Sequence, residues 1–435
     1  MRIYSYEEAF GAADLTSRPM RNAISQWFDA YYGNAENGAD PCQRVAYTVV
    51  SKLVRTVLGE YQAVSQDSFC QEILAKLGEK ARQAMEMSLV GGECYIKPCP
   101  EKAGFSFTLI PRDHVLIFGR DGAGNVTDMG TVEQSAQGRC YYTLLERRSV
   151  DENGYLTIQN RLFRSYNAQN LGQEVPLDSH PAYKALPASY RYEVPLNSVG
   201  LAQLRTPMLN CVDGSRDGVS LFAPAMGLIR AIDENEEQLR EEFIRGQSRI
   251  IASRDLLTEG ANGEKLLTDH LFVGLDDDPE QVGITLFSPQ LRHEAYLERK
   301  QEYLRNVESV IGLKRGMLSD ANVEDRTATE IASSAGDYNL AVMDFQRMWE
   351  QTLREALDLC CRLARLYQVG QPPEEPEYSV DWGNGVLYDE DKTWQDYQAM
   401  VASGLLKPEI ALGWRFNLPA TTEAERDAIR KRLMP

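Results

Sequence analysis

The segment from Gly218 to Ser334 decides the fold. It opens with GVSLFAPAMGLIRAIDENEEQLREEFIRGQSRIIAS (residues 218–253) and closes with SPQLRHEAYLERKQEYLRNVESVIGLKRGMLSDANVEDRTATEIASS (residues 288–334). Apolar residues recur every three or four positions in both parts, which predicts two helices, and short strands are predicted between them. A basic loop, expected to be flexible, and the start of another helix follow. The segment therefore predicts a helical hairpin with a β-rich insertion.

The first helix of this hairpin, predicted from Pro224 to about Arg245, is strongly acidic. Its apolar line is interrupted by Glu236 and otherwise consists of Ile229, Ile232, Leu239 and Phe243. Like charges one helical turn apart repel each other by a few tenths of a kcal/mol. Two interpretations stay open, an ordinary solvated face or a wall beside the path of a polyanion. The candidate wall residues are Glu234, Glu237 and Glu241.

The net charge constrains the possible partners. The 435 residues carry a formal charge of −18. Nucleic acid is gripped through lysine and arginine, so this charge argues against binding through the whole surface. It is compatible with a protein past which DNA slides, because repulsion prevents adhesion, and also with an ordinary acidic protein.

Cysteine content and hydropathy indicate the cellular compartment in which the chain folds. Eight cysteines in a chain of this length favour buried free thiols in a reducing compartment over a disulfide framework. The N-terminal MRIYSYEEAFGA lacks the apolar run of a signal peptide, and no stretch approaches the ~18 apolar residues of a membrane span. We therefore expect a chain that is assembled inside a cell and does not contact a membrane.

The sequence before the hairpin predicts helices followed by a sheet. Amphipathic helical patterns begin near Arg18, Pro41 and Ser68, and Gly91–Gly92 ends the third. Short apolar runs separated by glycine, proline and asparagine then predict mostly antiparallel strands at residues 93–97, 105–110, 115–118, 139–147, 155–158 and 161–163. Helices and antiparallel strands in separate runs predict the α+β fold class.

The sequence after the hairpin predicts one long helix and a short tail. Thr327 and Glu330 have the spacing of a capping box, which predicts the start of the helix. Apolar residues at near-heptad spacing continue it to about Gln368, and Pro372–Pro373 ends it. The tail predicts a strand near Tyr378 and three short helical segments.

No set of residues indicates an enzyme or a bound cofactor. The four histidines lie in unrelated contexts, and no nucleophile or phosphate-loop motif is present. The acidic turn Asp276–Asp277–Asp278 lacks the alternating ligands and the glycine of a calcium loop, so a solvated turn is favoured. We expect no metal, no cofactor and no catalytic residue.

Several short motifs, taken in order, carry a resemblance to a known family. They are YTLLER (142–147), GYLTI (154–158), NRLFRS (160–165), GVSLFA (218–223), ID (232–233), EF (242–243), RII (249–251), GLKRG (312–316), TATE (327–330) and VASGL (401–405). In this order and spacing the chain resembles the portal proteins of tailed bacteriophages, in particular those of phages and prophages of Gram-positive bacteria. The short C-terminus departs from members with a longer helical crown.

The resemblance implies a portal fold with a mixed wing, paired stem helices, a small α/β clip and one long helix. The implied segments are an N-terminal wing (1–217), a stem helix (218–247), the clip (248–289), a second stem helix (290–311), a tunnel loop (312–326), a long wing helix (327–370) and a C-terminal wing with a short crown (371–435).

The resemblance also implies function, namely a homo-oligomeric ring, usually of twelve subunits, that conducts double-stranded DNA at one capsid vertex during genome packaging and ejection. Implied partners are the terminase large subunit, head–tail connector proteins, and the major capsid and scaffolding proteins. The ring would belong to the virion and assemble in the bacterial host cytoplasm. A helical capsid-associated adaptor that forms no closed ring stays open as the alternative.

Candidate residues follow from the implied segments. In the tunnel loop, DNA-facing cations are expected at Lys314, Arg315 and Arg326, although ordinary loop solubility explains them equally well. In the clip, partner-binding residues are expected at Arg254, Asp276, Asp277 and Asp278. Thr327 and Glu330 would cap the long helix where the loop ends.

Overall fold

The computed structural model describes residues 6–33, 43–102, 104–247, 249–252, 257–259, 265–267, 284–287, 290–320, 328–383, 390–416, 418, 420 and 422–433. The chain divides into two compact units. The first unit comprises residues 1–28, 48–223 and 329–435, and the second comprises residues 29–47 and 224–328.

Helices and strands alternate in blocks along the chain. The helices are α1 (Glu7–Phe10), α2 (Arg18–Tyr32), α3 (Val45–Leu58), α4 (Ser68–Gly91), α5 (Met226–Arg245), α6 (His293–Ile311), α7 (Ala328–Tyr367), α8 (Glu390–Ala402), α9 (Pro408–Arg415) and α10 (Glu423–Leu433). The longer strands are β2 (Glu93–Glu101), β3 (Gly104–Pro111), β4 (Val115–Arg120), β5 (Val126–Gln137), β6 (Cys140–Val150) and β7 (Leu156–Ser165). The shorter strands are β1 (Gln62–Val64), β8 (Gln173–Val175), β9 (Ser189–Arg191), β10 (Ala202–Arg205), β11 (Arg249–Ala252), β12 (Leu257–Glu259), β13 (Lys265–Leu267), β14 (Ile284–Phe287) and β15 (Ser379–Asp381).

The predicted helices form where their apolar periodicity placed them. Helix α4 begins at Asp67, whose side chain accepts a hydrogen bond from the Cys70 N–H at 2.9 Å, and it ends at Gly92 in the left-handed conformation. In α7 the predicted apolar line is buried from Tyr338 to Leu363, whereas its last member, Leu366, is half-buried. Its most deeply buried members are Val342, Trp349, Leu353, Ala356 and Cys360. The prediction of buried free thiols is confirmed for Cys70, Cys94, Cys360 and Cys361, but Cys99 and Cys140 are half-buried and Cys211 is exposed.

Two antiparallel sheets make up most of the first unit. One has the strand order β10-β2-β3, and the other has the order β4-β5-β6-β7-β8, with β9 also paired to β7. The free edge of β10 is partly closed by α7, because Thr352 Oγ1 donates to the Gln203 carbonyl at 3.0 Å and Glu355 accepts from the Gln203 N–H at 3.3 Å. All strand pairs in the described residues are antiparallel, which confirms the α+β class.

The larger sheet corrects two details of the predicted strands. Strand β5 was not predicted, because glycine, aspartate, glutamine and serine give residues 126–137 a low strand propensity. Backbone pairing with β4 and β6 on both sides stabilises this strand. The two short strands predicted over residues 155–158 and 161–163 are one continuous strand, β7.

Glu146, on β6, is a buried carboxylate between two cations. Lys97 Nζ lies 2.6 Å from Glu146 Oε2, Arg148 Nε lies 2.6 Å from Oε1, and the residue is 4% exposed. Burial alone would raise the pKa of Glu146, but Arg148 and Lys97 outweigh it and lower the pKa to about 2. The charged form is therefore the one that the fold stabilises.

We expect Glu146→Gln to cost stability at pH 7 and progressively less under acid. The pKa of Glu146 falls from 4.5 in the reference state to about 2 in the fold, so the stabilisation is present above pH 4.5. It amounts to about 3 kcal/mol and is lost as the pH drops from about 4.5 to 2. Urea unfolding of both proteins between pH 7 and pH 2.5 measures the gap. A gap that is independent of pH would contradict this assignment.

The second unit contains the antiparallel helix pair α5–α6 and short strands. Strand β11 pairs with β14, and β12 pairs with β13. Of residues 248–289 the structure describes only these four strands, so the helical component of the predicted small α/β clip lies outside the described residues and stays a prediction.

Candidate functional site

The helix pair α5–α6 is the scaffold of the candidate site. The two helices are antiparallel, because a residue later in α5 contacts a residue earlier in α6. Glu242 pairs with Arg292 at 2.8 Å, and Glu236 pairs with Lys300 at 3.0 Å. Arg292 hydrogen-bonds the Glu242 carboxylate and lowers its pKa below the ordinary value. The two ion pairs connect α5 to the facing helix.

The seam between the helices differs from the predicted one in two residues. The buried line of α5 consists of Ile229, Ile232, Asn235 and Leu239. Asn235, not Glu236, lies at the centre, and its Nδ2 donates to the Tyr296 carbonyl of α6 at 3.0 Å. Phe243, predicted in the seam, is 48% exposed. At 3.6 residues per turn positions 235 and 236 both lie on this side of the helix. Both have a partner in α6, but only Asn235 is buried, and Glu236 reaches Lys300 from the flank.

The segment that precedes α3 is attached to the same helix pair. The Gln43 N–H donates to Asp233 Oδ1 at 2.8 Å. Lys300 Nζ donates to Gln43 Oε1 at 2.7 Å and to Glu236 Oε2 at 3.0 Å. Asp233 and Glu236, on the flank of α5, therefore have partners within this unit. They are distinct from Glu234, Glu237 and Glu241, which are exposed.

The three predicted wall residues lie together on one exposed face of α5. Glu234, Glu237 and Glu241 are all exposed, on the side opposite the buried line, and are spaced by three and four residues. The stripe is about 10 Å long. Glu241 also pairs with Arg245 at 2.6 Å, in a contact that is itself exposed. The stripe therefore presents three carboxylates on one exposed face, and Arg245 partly neutralises the last of them.

Two of the predicted tunnel-loop cations, Lys314 and Arg315, lie in a tight turn directly after α6. Lys314 and Arg315 are exposed, and the Met317 N–H donates to the Lys314 carbonyl at 3.2 Å. Gly316, in the third position of this four-residue turn, has φ +86°, a conformation that glycine adopts at little cost. The turn therefore presents both cations to solvent.

Glu308, in the last turn of α6, organises this loop and was missed by the sequence interpretation. Its side chain is completely buried. It accepts hydrogen bonds from the N–H groups of Gly316, Leu318 and Ser319 and from the Ser319 hydroxyl. A carboxylate near a helix C-terminus is unfavourable to the helix dipole, and this was the available signal that the residue has a special partner.

The remaining candidate residues are outside the described part of the chain. They are Arg254, Asp276, Asp277, Asp278, Arg326 and Thr327, together with the side chain of Glu330. The capping box at Thr327–Glu330 therefore stays a prediction, although α7 begins at Ala328 as the motif suggests. A capping box does occur at the start of α10, where the Thr422 N–H donates to Glu425 Oε2 at 2.8 Å and Glu425 N–H donates to Thr422 Oγ1 at 3.3 Å.

Neither a metal centre nor a membrane segment is found in the described residues. No cluster of three or more histidine, cysteine, aspartate or glutamate side chains within that part of the chain could hold a metal ion. Likewise, among the helices that are described, none combines the length and apolar character needed to span a bilayer.

Comparison with protein families identifies the chain. Residues 84–432 match the family described as phage portal protein, SPP1 Gp6-like. No curated protein matches the chain at a significant level. The matched region includes both sheets, the helix pair, the loop after it and the long helix, and the family is a structural, non-enzymatic one. Because the match covers well over half of the chain, this protein belongs to the SPP1 Gp6-like family of phage portal proteins.

Proposed function

We propose that the chain assembles into a closed ring at one capsid vertex and that double-stranded DNA passes through the centre of this ring. The match of residues 84–432 to the portal family carries this proposal. Rings of identical subunits close by repeating one heterologous contact. The proposed partners are the terminase large subunit, head–tail connectors, and the major capsid and scaffolding proteins. Assembly would take place in the bacterial host cytoplasm, and the ring would remain in the virion.

The helix pair supports the roles of stem and channel wall. The exposed stripe of Glu234, Glu237 and Glu241 would keep phosphates from adhering as DNA moves. Phe243 and Leu297 are each 48% exposed on this two-helix element, and burial against a neighbouring copy would stabilise them. We assign 218–247 and 290–311 to the stem, 248–289 to the clip that meets terminase and connectors, 312–326 to the tunnel loop, and the remaining segments to the wing and short crown.

Electron microscopy of the purified full-length protein tests the ring. We expect closed rings with a central channel, and a solution mass of about 590 kDa for twelve chains of 49.0 kDa. A protein that stays monomeric under all assembly conditions would contradict the portal ring and favour an adaptor that forms no closed ring.

Replacing both exposed loop cations, in the variant Lys314→Gln/Arg315→Gln, should reduce DNA retention while the ring stays intact. Each cation that contacts a phosphate contributes about one unit to the slope of log affinity against log salt concentration. We therefore expect the salt dependence of DNA retention to weaken by up to about two units. In vitro packaging followed by nuclease protection at several salt concentrations measures this effect.

The matched control for this experiment is Lys431→Gln/Arg432→Gln. These two residues are also adjacent and exposed, at the end of α10, and their replacement changes the net charge by the same amount. If both double variants package and retain DNA equally well, Lys314 and Arg315 have no role in DNA contact.

A further inference from the structure

The loop after α6, described from Gly312 to Asp320, is hydrogen-bonded to that helix at three places. At its start, the Leu313 N–H donates to the Glu308 carbonyl at 2.8 Å, Gly312 has φ +80°, and the Leu313 side chain is buried. This is the usual glycine-dependent way to end a helix. At Asp320, the last residue of the loop that the structure describes, the N–H donates to Gln301 Oε1 at 2.9 Å. Because position 301 lies about two turns before position 308, the loop runs back along the helix.

Between these two points the Glu308 carboxylate is the central contact. It accepts from the Gly316 N–H at 3.2 Å, the Ser319 N–H at 2.9 Å and the Ser319 hydroxyl at 2.8 Å, and also from the Leu318 N–H. A buried carboxylate is unfavourable unless its oxygens are hydrogen-bonded, and these four bonds all come from the loop. The buried Glu308 carboxylate is therefore stable only while the loop lies against it and supplies these four hydrogen bonds.

The contacts from Glu308 begin one residue after the exposed cation pair. Gly316 immediately follows Arg315, and the turn that carries Lys314 and Arg315 is closed by the Met317 N–H. Only residues 314 to 316 of this loop are exposed before Asp320, whereas Leu313 and Ser319 on either side are buried. A rigid base therefore supports a short exposed tip.

We propose that Glu308 is the positioning residue of this loop, and that it holds the Lys314–Arg315 turn in one orientation on the end of α6. The turn then moves together with α6 and not as a free loop. The role of the two cations in contacting DNA rests on the proposed portal function, whereas the role of Glu308 in holding the turn does not depend on it.

Hydrogen–deuterium exchange on the full-length protein tests this proposal. In Glu308→Ala, the amides of Gly316, Leu318 and Ser319 lose their acceptor, and a peptide that covers residues 313–320 should exchange about 10- to 100-fold faster. Peptides from the two sheets should exchange as in the wild type. Trypsin should also cleave after Lys314 or Arg315 faster than in the wild type, since cleavage requires a mobile chain.

Glu302→Ala is the matched control for exchange and cleavage. It removes the same charge from the same helix, and Glu302 is an exposed residue that pairs with Arg305 at 3.3 Å. If Glu308→Ala folds poorly, Glu308→Gln keeps the side-chain size but turns one acceptor oxygen into a donor, and it should still accelerate exchange. Exchange of the 313–320 peptide within about twofold of the wild type in these Glu308 variants would overturn the proposal.

A packaging experiment separates this proposal from the proposed function. If Glu308 acts through the cation pair, Glu308→Ala lowers DNA retention in the wild type and has no further effect in Lys314→Gln/Arg315→Gln. An additive loss in the combined variant would overturn the positioning role. If Lys314→Gln/Arg315→Gln itself retains DNA normally, the proposed DNA contact fails, and the exchange result alone decides whether Glu308 holds the turn.

Discussion

Arg112→Met is expected to destabilise the first unit by about 3–5 kcal/mol, because it leaves two buried carboxylates without their shared cation. Arg112 lies in a short helical turn between β3 and β4 and is 1% exposed. Its guanidinium lies 3.6 Å from Glu93 and 3.7 Å from Asp217, and it donates to the Thr16 hydroxyl at 2.8 Å. One side chain thus connects the N-terminal segment, strand β2 and the loop before Gly218.

The partners of Arg112 cannot replace it. Glu93 is fully buried and also accepts from the Gly218 N–H at 2.8 Å and from the Tyr95 hydroxyl at 2.9 Å. The other cation near Glu93 is Arg205, whose Nε lies 3.9 Å away on a partly exposed side chain, so it compensates the charge only weakly. Asp217 retains Arg120 at 2.7 Å, so the greater cost is expected at Glu93.

Urea unfolding followed by circular dichroism measures this loss. The matched control is Arg191→Met, since Arg191 pairs with Asp151 at the surface with 59% of its side chain exposed, and the cost there should stay below about 1 kcal/mol. Adding Glu93→Gln to Arg112→Met should recover part of the loss, because it removes a buried charge that only the distant Arg205 still faces. Equal losses for Arg112→Met and Arg191→Met would show that the buried charge network contributes no more than a surface pair.

Gly92→Ala is expected to cost at least about 3 kcal/mol or to abolish folding. Gly92 ends α4 with φ +84°, a conformation that disfavours any side chain. A Cβ there would also lie 2.3 Å from the carbonyl group of Gly218 and 2.5 Å from the Val219 nitrogen. Both neighbours are backbone atoms, so no side-chain rotation relieves the clash.

The contact between Gly92 and Gly218 explains the buried GVSLFA motif that leads into α5. The Gly92 carbonyl accepts from the Thr206 N–H at 3.0 Å, and the Leu221 N–H donates to the Leu89 carbonyl at 2.8 Å. Val219, Leu221 and Phe222 are almost completely buried. Substitution at Gly92 would therefore displace the whole segment.

Gly78→Ala, in the same helix, is the control for Gly92→Ala. It should raise the free energy of unfolding, whereas Gly92→Ala should lower it. A Cβ at Gly78 meets no atom within 4 Å, and alanine in a helix interior is more stable than glycine by about 0.5–1 kcal/mol. Soluble yield and thermal unfolding distinguish the two variants. A Gly92→Ala protein as stable as Gly78→Ala would refute the close approach of the two backbone segments.

Much of the fold could be predicted from local patterns. Helices α2, α4, α5, α6 and α7 have strong apolar periodicity over ten or more residues, and this signal depends only on the segment itself. Strand β5 could not be predicted, because its stability comes from two neighbouring strands and not from its own residues.

The candidate site was predictable only in its exposed part. Glu234, Glu237 and Glu241 follow from helical spacing, since residues opposite an apolar line face solvent. Lys314 and Arg315 follow from their place in a glycine-containing loop. The roles of Asn235 and Glu308 depend on atoms of other segments, so their residue types alone suggested solvent exposure.

Local sequence was therefore sufficient for the helices, their exposed faces and the order of motifs that marks a portal protein. Tertiary structure alone decided which polar residues are buried. Glu93 meets Gly218 and Arg112 meets Thr16 across 125 and 96 residues of chain. A charged side chain is stable in the interior only when distant segments place polar partners beside it. The apolar periodicity of one helix or strand contains no information about those partners.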